Sequence, residues 1–261
     1  MNFSLEGRTY VVMGVANKRS IAWGIARSLH EAGARLVFTY VGERFGKSVR
    51  ELAESLDTSE GQEPLFYECD VTDDESIIQT FEAIGKDVGT IHGLAHCIAF
   101  ANRDELKGEF LNTSRDGFLT AQNISSYSLT AVSRAAKPLM TEGGSILTMT
   151  YLGGEKVVQN YNVMGVAKAS LDANMRYLAS DLGKDSIRVN AISAGPIRTL
   201  SAKGVGDFNS ILSEIEERAP LRRPVTQEEV GSTAYYLLSD LSRGVTGEII
   251  HVDSGFNIIG Y

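Results

Sequence analysis

Short runs of β-branched and aromatic residues alternate along this chain with longer segments in which apolar residues recur every three or four positions. The short runs have the composition of strands, and the longer segments have the period of helices with one apolar face. The predicted strands are Thr9–Val12, Arg35–Tyr40, Leu65–Cys69, Gly93–Ala99, Ser145–Thr150, Ile187–Ile192 and Glu248–Val252. The predicted helices cover residues 21–32, 44–57, 74–87, 116–141, 160–182 and 227–239.

This alternation predicts an α/β fold, a Rossmann-like, doubly wound parallel sheet of seven strands with helices on both faces. Capping-box spacing marks two helix starts, Thr72 with Glu75 and Thr226 with Glu229. Residues 1–261 are interpreted as a single domain, because no linker-like stretch, long charge block or internal repeat divides them. The rhythm breaks at 196–224, where glycines and prolines surround a short helical piece, and this stretch is predicted to be a mobile, substrate-covering segment.

Composition and charge argue against several classes of protein. The 261 residues carry a formal net charge of −8, which disfavours a nucleic-acid-binding surface. No apolar run approaches the ~20 residues of a membrane span, and no export signal begins the chain, so we expect a cytoplasmic protein without membrane contact. The two cysteines, Cys69 and Cys97, lie inside apolar segments and fit a reducing compartment. His92 and His96 are four residues apart, but no nearby cysteine or acidic pair completes a metal shell, so no metal is expected.

The turn after the first strand contains Gly14, Ser20 and Gly24 and leads directly into a helix. A glycine lets the backbone approach a phosphate, and a helix N-terminus offers free N–H groups and a positive dipole end. The common G-x-G-x-x-G fingerprint is absent. The longer turn instead resembles that of the bacterial NAD(P)H-dependent enoyl-acyl carrier protein reductases, a divergent group of short-chain dehydrogenases/reductases. The resemblance extends over nearly the whole chain.

The resemblance implies that NADH or NADPH binds at the carboxyl ends of the strands, where a doubly wound sheet presents its crevice. Without the resemblance, a structural role explains each of two residues as well as a cofactor contact does: Asp70 as a helix-capping acid and Ile98 as a core residue. The expected cofactor contacts are Gly14, Ser20, Ile21, Val41, Asp70, Val71, Ile98, Lys168, Ile197 and Thr199.

The choice between NADH and NADPH depends on the residues that follow the second strand. Arg44 is placed to meet a 2′-phosphate, but Glu43 beside it opposes that charge. The next basic residue is Lys47. The sequence therefore favours NADH and leaves NADPH open.

Three residues that follow the fifth strand, Tyr151, Tyr161 and Lys168, are spaced by ten and seven positions. Ordinary short-chain dehydrogenases have Tyr-x-x-x-Lys, whereas seven residues return almost to the same helix face after advancing roughly 10.5 Å. A ribose fits that gap. The resemblance implies that Lys168 holds the nicotinamide ribose hydroxyls and that Tyr161 acts near the substrate carbonyl. Tyr151 stands where ordinary members keep a serine, although Thr148 and Thr150 are also available.

The family's substrate is a trans-2-enoyl thioester on acyl carrier protein, and its members are typically homotetramers. Hydride addition at the β-carbon moves negative charge onto the thioester oxygen, which a hydroxyl placed there stabilises. Tyr161 is the expected donor unless a nearby ammonium lowers its pKa strongly, and either Tyr161 or water supplies the α-proton. The residues expected to border the substrate are Ala101, Tyr151, Tyr161, Met164 and Phe208.

Two other functions stay open at this level. One is a carbonyl reductase on the same fold that reduces a ketone or a 3-oxoacyl thioester. The seven-residue spacing and Tyr151 argue against it. The other is a non-catalytic dinucleotide sensor, against which the intact Tyr161 and Lys168 argue.

Overall fold

The computed structural model describes residues 3–199 and 208–260, apart from the side chains of Phe208 and Asn209. Its centre is one sheet in the order β3-β2-β1-β4-β5-β6-β7, with every neighbouring pair parallel. The strands are β1 (Thr9–Met13), β2 (Arg35–Tyr40), β3 (Leu65–Glu68), β4 (Gly93–His96), β5 (Gly144–Thr150), β6 (Ile187–Ala194) and β7 (Ile249–Val252). The strand order reverses between β1 and β4, which opens a crevice at their carboxyl ends.

Helices cover both faces of the sheet. They are α1 (Ile21–Glu31), α2 (Gly42–Ala53), α3 (Asp74–Val88), α4 (Arg115–Gln122), α5 (Ser128–Ala136), α6 (Asn162–Leu182), α7 (Phe208–Arg218) and α8 (Gln227–Leu238). One apolar core lies under α1, α2 and α8, and the other lies under α3, α5 and α6. The predicted doubly wound α/β fold is therefore confirmed.

Strand β1 illustrates why the strands have continuous apolar sequences. Tyr10 and Val12 pack into the core under α1 and α8, whereas Val11 and Met13 pack into the core on the opposite face. Successive strand residues point to opposite faces, so a strand covered by helices on both sides needs an apolar residue at every position.

The structure corrects several predicted boundaries. The predicted strand Gly93–Ala99 ends at His96, and the predicted helix 116–141 is divided by a π-helical turn, Asn123–Tyr127, between α4 and α5. The capping box of Thr226 and Glu229 is confirmed. The Thr72 box is wrong, because Asp73 caps α3 by accepting from the Glu75 N–H at 3.0 Å. No helix within the described ranges is long and apolar enough to cross a membrane.

Arg188 on β6 ties the end of α8 to the sheet. Its half-buried guanidinium donates to the carbonyls of Leu237 (2.9 Å), Ser239 (2.9 Å) and Val245 (3.3 Å), and to the Ser242 hydroxyl (2.8 Å). Burial lowers the pKa of Arg188, but these oxygens occupy its donors and stabilise the charge near the carboxyl end of the helix.

Replacing Arg188 with methionine removes all four of these hydrogen bonds, although the carbonyls keep other donors, such as Asn190 at Val245 and Ser145 at Leu237. We expect the free energy of unfolding to fall by about 2–4 kcal/mol, measured by urea denaturation. The matched control is Arg27→Met, because Arg27 is exposed on α1 and its ion pairs with Glu31 (3.5 Å) and Glu228 (3.6 Å) are long. That control should change stability by less than about 1 kcal/mol, and an equal loss in both variants would contradict the assigned role.

Candidate active site

A close backbone contact between the ends of β1 and β4, beside the crevice, requires a glycine. Gly14 follows β1 with φ +91°, and a Cβ added to it would lie 2.1 Å from the Cys97 carbonyl oxygen. No other residue tolerates both that backbone conformation and that approach. The turn that leads into α1 is thereby held against the end of β4, at the switch point of the sheet.

Ser20 organises this turn from within. Its buried hydroxyl oxygen accepts from the N–H groups of Ala16 and Asn17, both at 3.0 Å. Ser20 precedes Ile21, the first residue of α1, but its side chain does not cap the helix. The N-terminal N–H groups of α1 and their positive dipole end therefore face the turn, as an anion site requires.

Gln227, the first residue of α8, is a contact of this turn that the sequence reading missed. Its side-chain amide donates to the carbonyl oxygens of Ser20 and Lys18, the latter at 3.3 Å. A Cβ on Gly24 would lie 2.5 Å from the Gln227 Cγ, so Gly24 serves the close packing of α1 on α8. Only the spatial neighbourhood reveals this contact, because Gln227 and Ser20 are 207 residues apart.

The other expected cofactor residues also follow strand ends. Val41 is exposed between β2 and α2, and Asp70 follows β3, where its carboxylate accepts from the Thr72 N–H (2.9 Å) and hydroxyl (2.7 Å). Val71 is buried beside it, and Ile98 packs partly against the core under α3, α5 and α6. Asp70 therefore shapes its turn and does not cap α3.

Ile197 and Thr199 follow the carboxyl end of β6. The Thr199 N–H donates to the Ile197 carbonyl at 2.7 Å, and Ile197 packs partly against the core under α1, α2 and α8. The structure thus brings all of the sequence-predicted cofactor residues to the carboxyl edge of the sheet. Their contact with a cofactor stays a prediction.

Tyr151 and Tyr161 form an aromatic pair at the end of β5. Their ring centroids lie 4.9 Å apart at an interplanar angle of 69°, an edge-to-face arrangement. A Cβ on Gly153 would lie 2.3 Å from the Tyr161 ring, so the glycine lets the ring settle against the turn. Tyr161 is the residue before α6, whereas the predicted helix placed it inside the first turn.

Lys168 lies inside α6 and is almost completely buried, with 5% of its surface exposed. Its ammonium donates to the Met149 carbonyl oxygen on β5 at 2.7 Å. Burial lowers the pKa of Lys168 to about 8, against the opposing effect of Asp172. A lysine ammonium has three donors, so two are available to a ligand in the crevice.

Both tyrosines are proton donors at neutral pH. Burial raises the pKa of Tyr161 above its ordinary value, assisted by the charges of Tyr151 and Asp172, and it raises the pKa of Tyr151 to about 12. The sequence left open that Lys168 lowers the pKa of Tyr161, but the pKa of Tyr161 is raised. The carboxylate of Glu214 also raises the pKa of Tyr151, which brings α7 within electrostatic reach of the pair.

A third apolar cluster at the tyrosine pair contains three of the residues expected at the substrate. Met164 is buried in it, and Ala101 and Tyr161 pack against it. The sequence predicts Val163 and Ala167 as core residues of the helix, whereas it gives no signal for the other members, Leu106, Phe118 and Ala121. Phe208 begins α7, but its side chain lies outside the described residues.

Ser125, in the π-helical turn, fixes the loop that carries Ala101. Its hydroxyl accepts from the Phe100 N–H at 2.9 Å and donates to the Phe100 carbonyl at 3.0 Å. Ser125 is fully buried, so these bonds are shielded from water. Its single hydroxyl therefore holds both polar backbone groups of one residue beside the third apolar cluster.

His92 and His96, the two histidines four residues apart, form hydrogen bonds within the fold. His96 is fully buried between the hydroxyls of Ser128 (2.8 Å) and Thr148 (3.1 Å), and burial lowers its pKa to about 3. His92 accepts from the Thr9 N–H at 3.1 Å. Within residues 3–199 and 208–260, no group of three or more His, Cys, Asp or Glu side chains is arranged to hold a metal ion.

Comparison with known proteins agrees with this geometry. A family model described as enoyl-(acyl carrier protein) reductase matches residues 14–257. The chain is 75% identical over 256 residues to the enoyl-(acyl-carrier-protein) reductase (NADH) FabI of Bacillus cereus, covering 98% of this chain and 99% of that protein. It is 66% identical over 256 residues to the enoyl-(acyl-carrier-protein) reductase (NADPH) FabI of Staphylococcus aureus, with the same two coverages.

Solved structures are equally similar. The crystal structure of the Bacillus cereus enoyl-acyl carrier protein reductase with NADP+ and indole naphthyridinone superposes with a TM-score of 0.96 at 73% identity, and the match covers both chains completely. The enoyl-(acyl-carrier-protein) reductase (NADH) of Aquifex aeolicus superposes with a TM-score of 0.93 at 44% identity, covering 98% of this chain and 99% of that one. By its sequence, its sheet order and its Tyr151–Tyr161–Lys168 constellation, the chain belongs to the enoyl-(acyl carrier protein) reductase family.

Proposed function

We propose that this protein reduces the carbon–carbon double bond of trans-2-enoyl thioesters carried by acyl carrier protein, the final reductive step of the type II fatty-acid elongation cycle. The observation that carries the proposal is the pair of protonated, edge-to-face tyrosines together with a buried lysine two helical turns beyond Tyr161. This arrangement offers a neutral hydroxyl to a carbonyl oxygen and a separate cationic donor to a cofactor.

The site fits a nicotinamide dinucleotide. Gly14 leaves room where a Cβ would collide, the N-terminus of α1 is available to the pyrophosphate, and the Lys168 ammonium has two donors for the ribose hydroxyls. When bound, the reduced nicotinamide supplies the hydride. The proposed contacts are Gly14, Ser20, Ile21, Val41, Asp70, Val71, Ile98, Lys168, Ile197 and Thr199.

The protein's own groups act on the thioester. The Tyr161 hydroxyl donates a hydrogen bond to the thioester oxygen, which becomes negatively charged as the β-carbon is reduced. Tyr151 holds the Tyr161 ring by its edge-to-face contact and borders the substrate. The apolar cluster of Met164 and its neighbours excludes water from the acyl chain, so the hydroxyl acts in a medium of low dielectric constant.

We propose NADH as the preferred form of the cofactor, with NADPH also accepted. Glu43 and Arg44 are both exposed in the first turn of α2, so the Glu43 carboxylate opposes a 2′-phosphate that Arg44 attracts. Relatives of both cofactor preferences are similar to this chain. The Bacillus subtilis protein, 72% identical over 258 residues, is named for NADH, and the Staphylococcus aureus protein is named for NADPH.

Assembly, location and the substrate cover belong to the same proposal. We propose a homotetramer in the cytoplasm, in which segment 196–224 covers the substrate; residues 200–207 of that segment lie outside the described residues. Large apolar side chains exposed on and beside α4 and α6, such as Leu119 and Tyr177, support self-association. Two free cysteines support a reducing compartment. The charge of Glu214 near Tyr151 supports the cover, because α7 lies within that segment.

Replacing Gln227 with leucine tests the cofactor turn. We expect the KM for NADH to rise about fivefold with little change in kcat, because the loss of two hydrogen bonds loosens the turn without touching the tyrosines. Gln79→Leu is the matched control, since the Gln79 amide bonds only to the Glu75 side chain on the surface of α3. A fall in kcat at constant KM would show that Gln227 acts elsewhere.

The reaction itself is tested by offering a crotonyl thioester and an acetoacetyl thioester side by side, each with NADH and with NADPH. We expect cofactor oxidation with the crotonyl substrate, faster with NADH. Oxidation with the acetoacetyl thioester alone would mean that the protein is a carbonyl reductase. Tight NADH binding without turnover of either thioester would favour a dinucleotide sensor.

A further inference from the structure

Asp172 is a buried carboxylate to which the proposed reaction assigns no role. It is 4% exposed and lies on α6, four residues after Lys168. Residues at this spacing share a helix face, with a rise of roughly 6 Å between them. A buried carboxylate is unfavourable unless a charge or hydrogen bonds compensate it, so its place one turn from a buried ammonium points to a joint role.

A turn of two glycines encloses this carboxylate. A Cβ added to Gly154 would lie 2.9 Å from the Asp172 Oδ2 and 3.1 Å from the Ala169 nitrogen. The preceding residue, Gly153, makes room for the Tyr161 ring in the same way. The turn after β5 therefore lies directly on α6 and shields Asp172 from solvent. Shielding strengthens the interaction of this carboxylate with charges inside the site.

Thr150 adds a polar group at the same place. Its hydroxyl is buried, and so is the Asp172 Oδ1, and neither atom has a hydrogen-bond partner at bonding distance. Thr150 follows Met149, the residue whose carbonyl accepts from Lys168. Buried polar atoms without partners are uncommon in folded proteins. The Thr150 hydroxyl nevertheless lowers the pKa of Asp172, so these two groups act on each other next to the Lys168 anchor.

Charges around the pair come from several elements. Asp172 and Cys97 act on Lys168 to raise its pKa, with Asp172 the stronger, while Lys168 also lowers the pKa of the buried His96. Burial raises the pKa of Asp172 overall, assisted by Glu155 and opposed by Thr150, Lys168 and Arg176. Glu155 and Arg176 are exposed, and Glu155 pairs with His251 at 2.8 Å. Asp172 is thus the main buried acid that acts on Lys168.

We propose that Asp172 is a positioning residue that keeps Lys168 protonated and directed at the cofactor ribose. It acts through Lys168 and does not touch the cofactor. The inference rests on the proposed function only in assigning Lys168 to the cofactor. A charged ammonium makes roughly twice as strong a hydrogen bond as a neutral donor, so loss of its proton weakens cofactor binding.

The first test is a pH titration of the Lys168 side chain in the cofactor-free protein. NMR of lysine labelled at Cε monitors the titration, and a Lys168→Met variant assigns the Lys168 signal. In Asp172→Asn, we expect the Lys168 midpoint to fall by about one pH unit or more, a tenfold or greater loss of proton affinity. In the same variant the dissociation constant for NADH should rise about twofold at pH 7 and about tenfold at pH 9, and the difference should vanish as the pH is lowered.

Controls separate this role from a structural one. Asp181→Asn removes an exposed carboxylate from the same helix and should leave both readouts unchanged. Asp172→Glu keeps the carboxylate charge, so the Lys168 midpoint in this variant should lie close to that of the unmodified protein. An unshifted Lys168 midpoint and an unshifted pH dependence of NADH binding in Asp172→Asn would overturn the proposal, whatever happens to stability.

A second variant tests the proposal if Asp172→Asn does not fold. Thr150→Val removes the hydroxyl that lowers the Asp172 pKa, so it should move the Lys168 midpoint in the same direction by a smaller amount. No movement there would also overturn the proposal. If the midpoint moves as expected while the unmodified protein fails to turn over crotonyl thioester, the proposed reaction is wrong and the Asp172–Lys168 interaction stands.

Discussion

Replacement of Lys168 by methionine is expected to lower kcat/KM for NADH by about 100-fold or more, because it removes the two charged donors available to the ribose, at about 1.5–3 kcal/mol each. Methionine keeps most of the length of the side chain and fills the same buried space. Cofactor binding measured by titration should weaken in parallel with kcat/KM.

Stability provides the internal control for this variant. The buried ammonium is the donor to the Met149 carbonyl and the counter-charge of Asp172, so its removal should lower the free energy of unfolding by about 1–3 kcal/mol. A large loss of stability with unchanged NADH affinity would mean that Lys168 supports the fold through the Met149 carbonyl and not the cofactor.

The pH dependence of NADH binding follows from the same residue. The pKa of Lys168 is lowered to about 8, so the ammonium is present below that pH and is lost above it. Affinity for NADH should therefore be constant at neutral pH and decline as the pH rises through about 8. In Lys168→Met this decline should disappear.

Replacement of Tyr161 by phenylalanine is expected to lower kcat by about 100- to 1000-fold, since one donor to a developing oxyanion contributes roughly 3–4 kcal/mol. The ring keeps its contacts with Tyr151 and Gly153, so the NADH dissociation constant and the unfolding midpoint should change little. Single-turnover kinetics with a crotonyl thioester separate this chemical step from product release.

Tyr177→Phe is the matched control, because Tyr177 lies on α6 with 77% of its surface exposed. It should leave kcat unchanged. An equal loss of turnover and of NADH binding in Tyr161→Phe would assign Tyr161 to the cofactor and leave the thioester oxygen without its donor.

The strands are predictable from sequence because the central ones lie between two helical layers, and β1 is apolar or aromatic at four of its five positions. Gly14 is also recognisable, since a glycine directly after a first strand and before a helix is typical of a phosphate-binding turn. The Tyr161–Lys168 spacing predicts a shared face. It does not reveal that Tyr161 lies just before the helix, because two asparagines with positive φ, Asn160 and Asn162, flank it.

Other parts of the site depend on contacts that are remote in sequence. Gln227 reaches the cofactor turn only because two glycines, Gly24 and Gly231, let α1 and α8 approach closely. Asp172 resembles any polar residue of a helix until its burial is known. The π-helical turn lacks a local signal, and the capping box at Thr72 failed because Asp73 is a competing cap one residue later.

The central claim is that hydride reaches the β-carbon of an enoyl thioester in the crevice beside Tyr161. It is tested most directly with NADH deuterated at the transferable position of the nicotinamide ring, incubated with a crotonyl thioester, with mass spectrometry or NMR of the product. We predict a butyryl thioester that carries deuterium on the β-carbon. Deuterium on the α-carbon or the carbonyl carbon, or recovery of an alcohol product, would contradict the account.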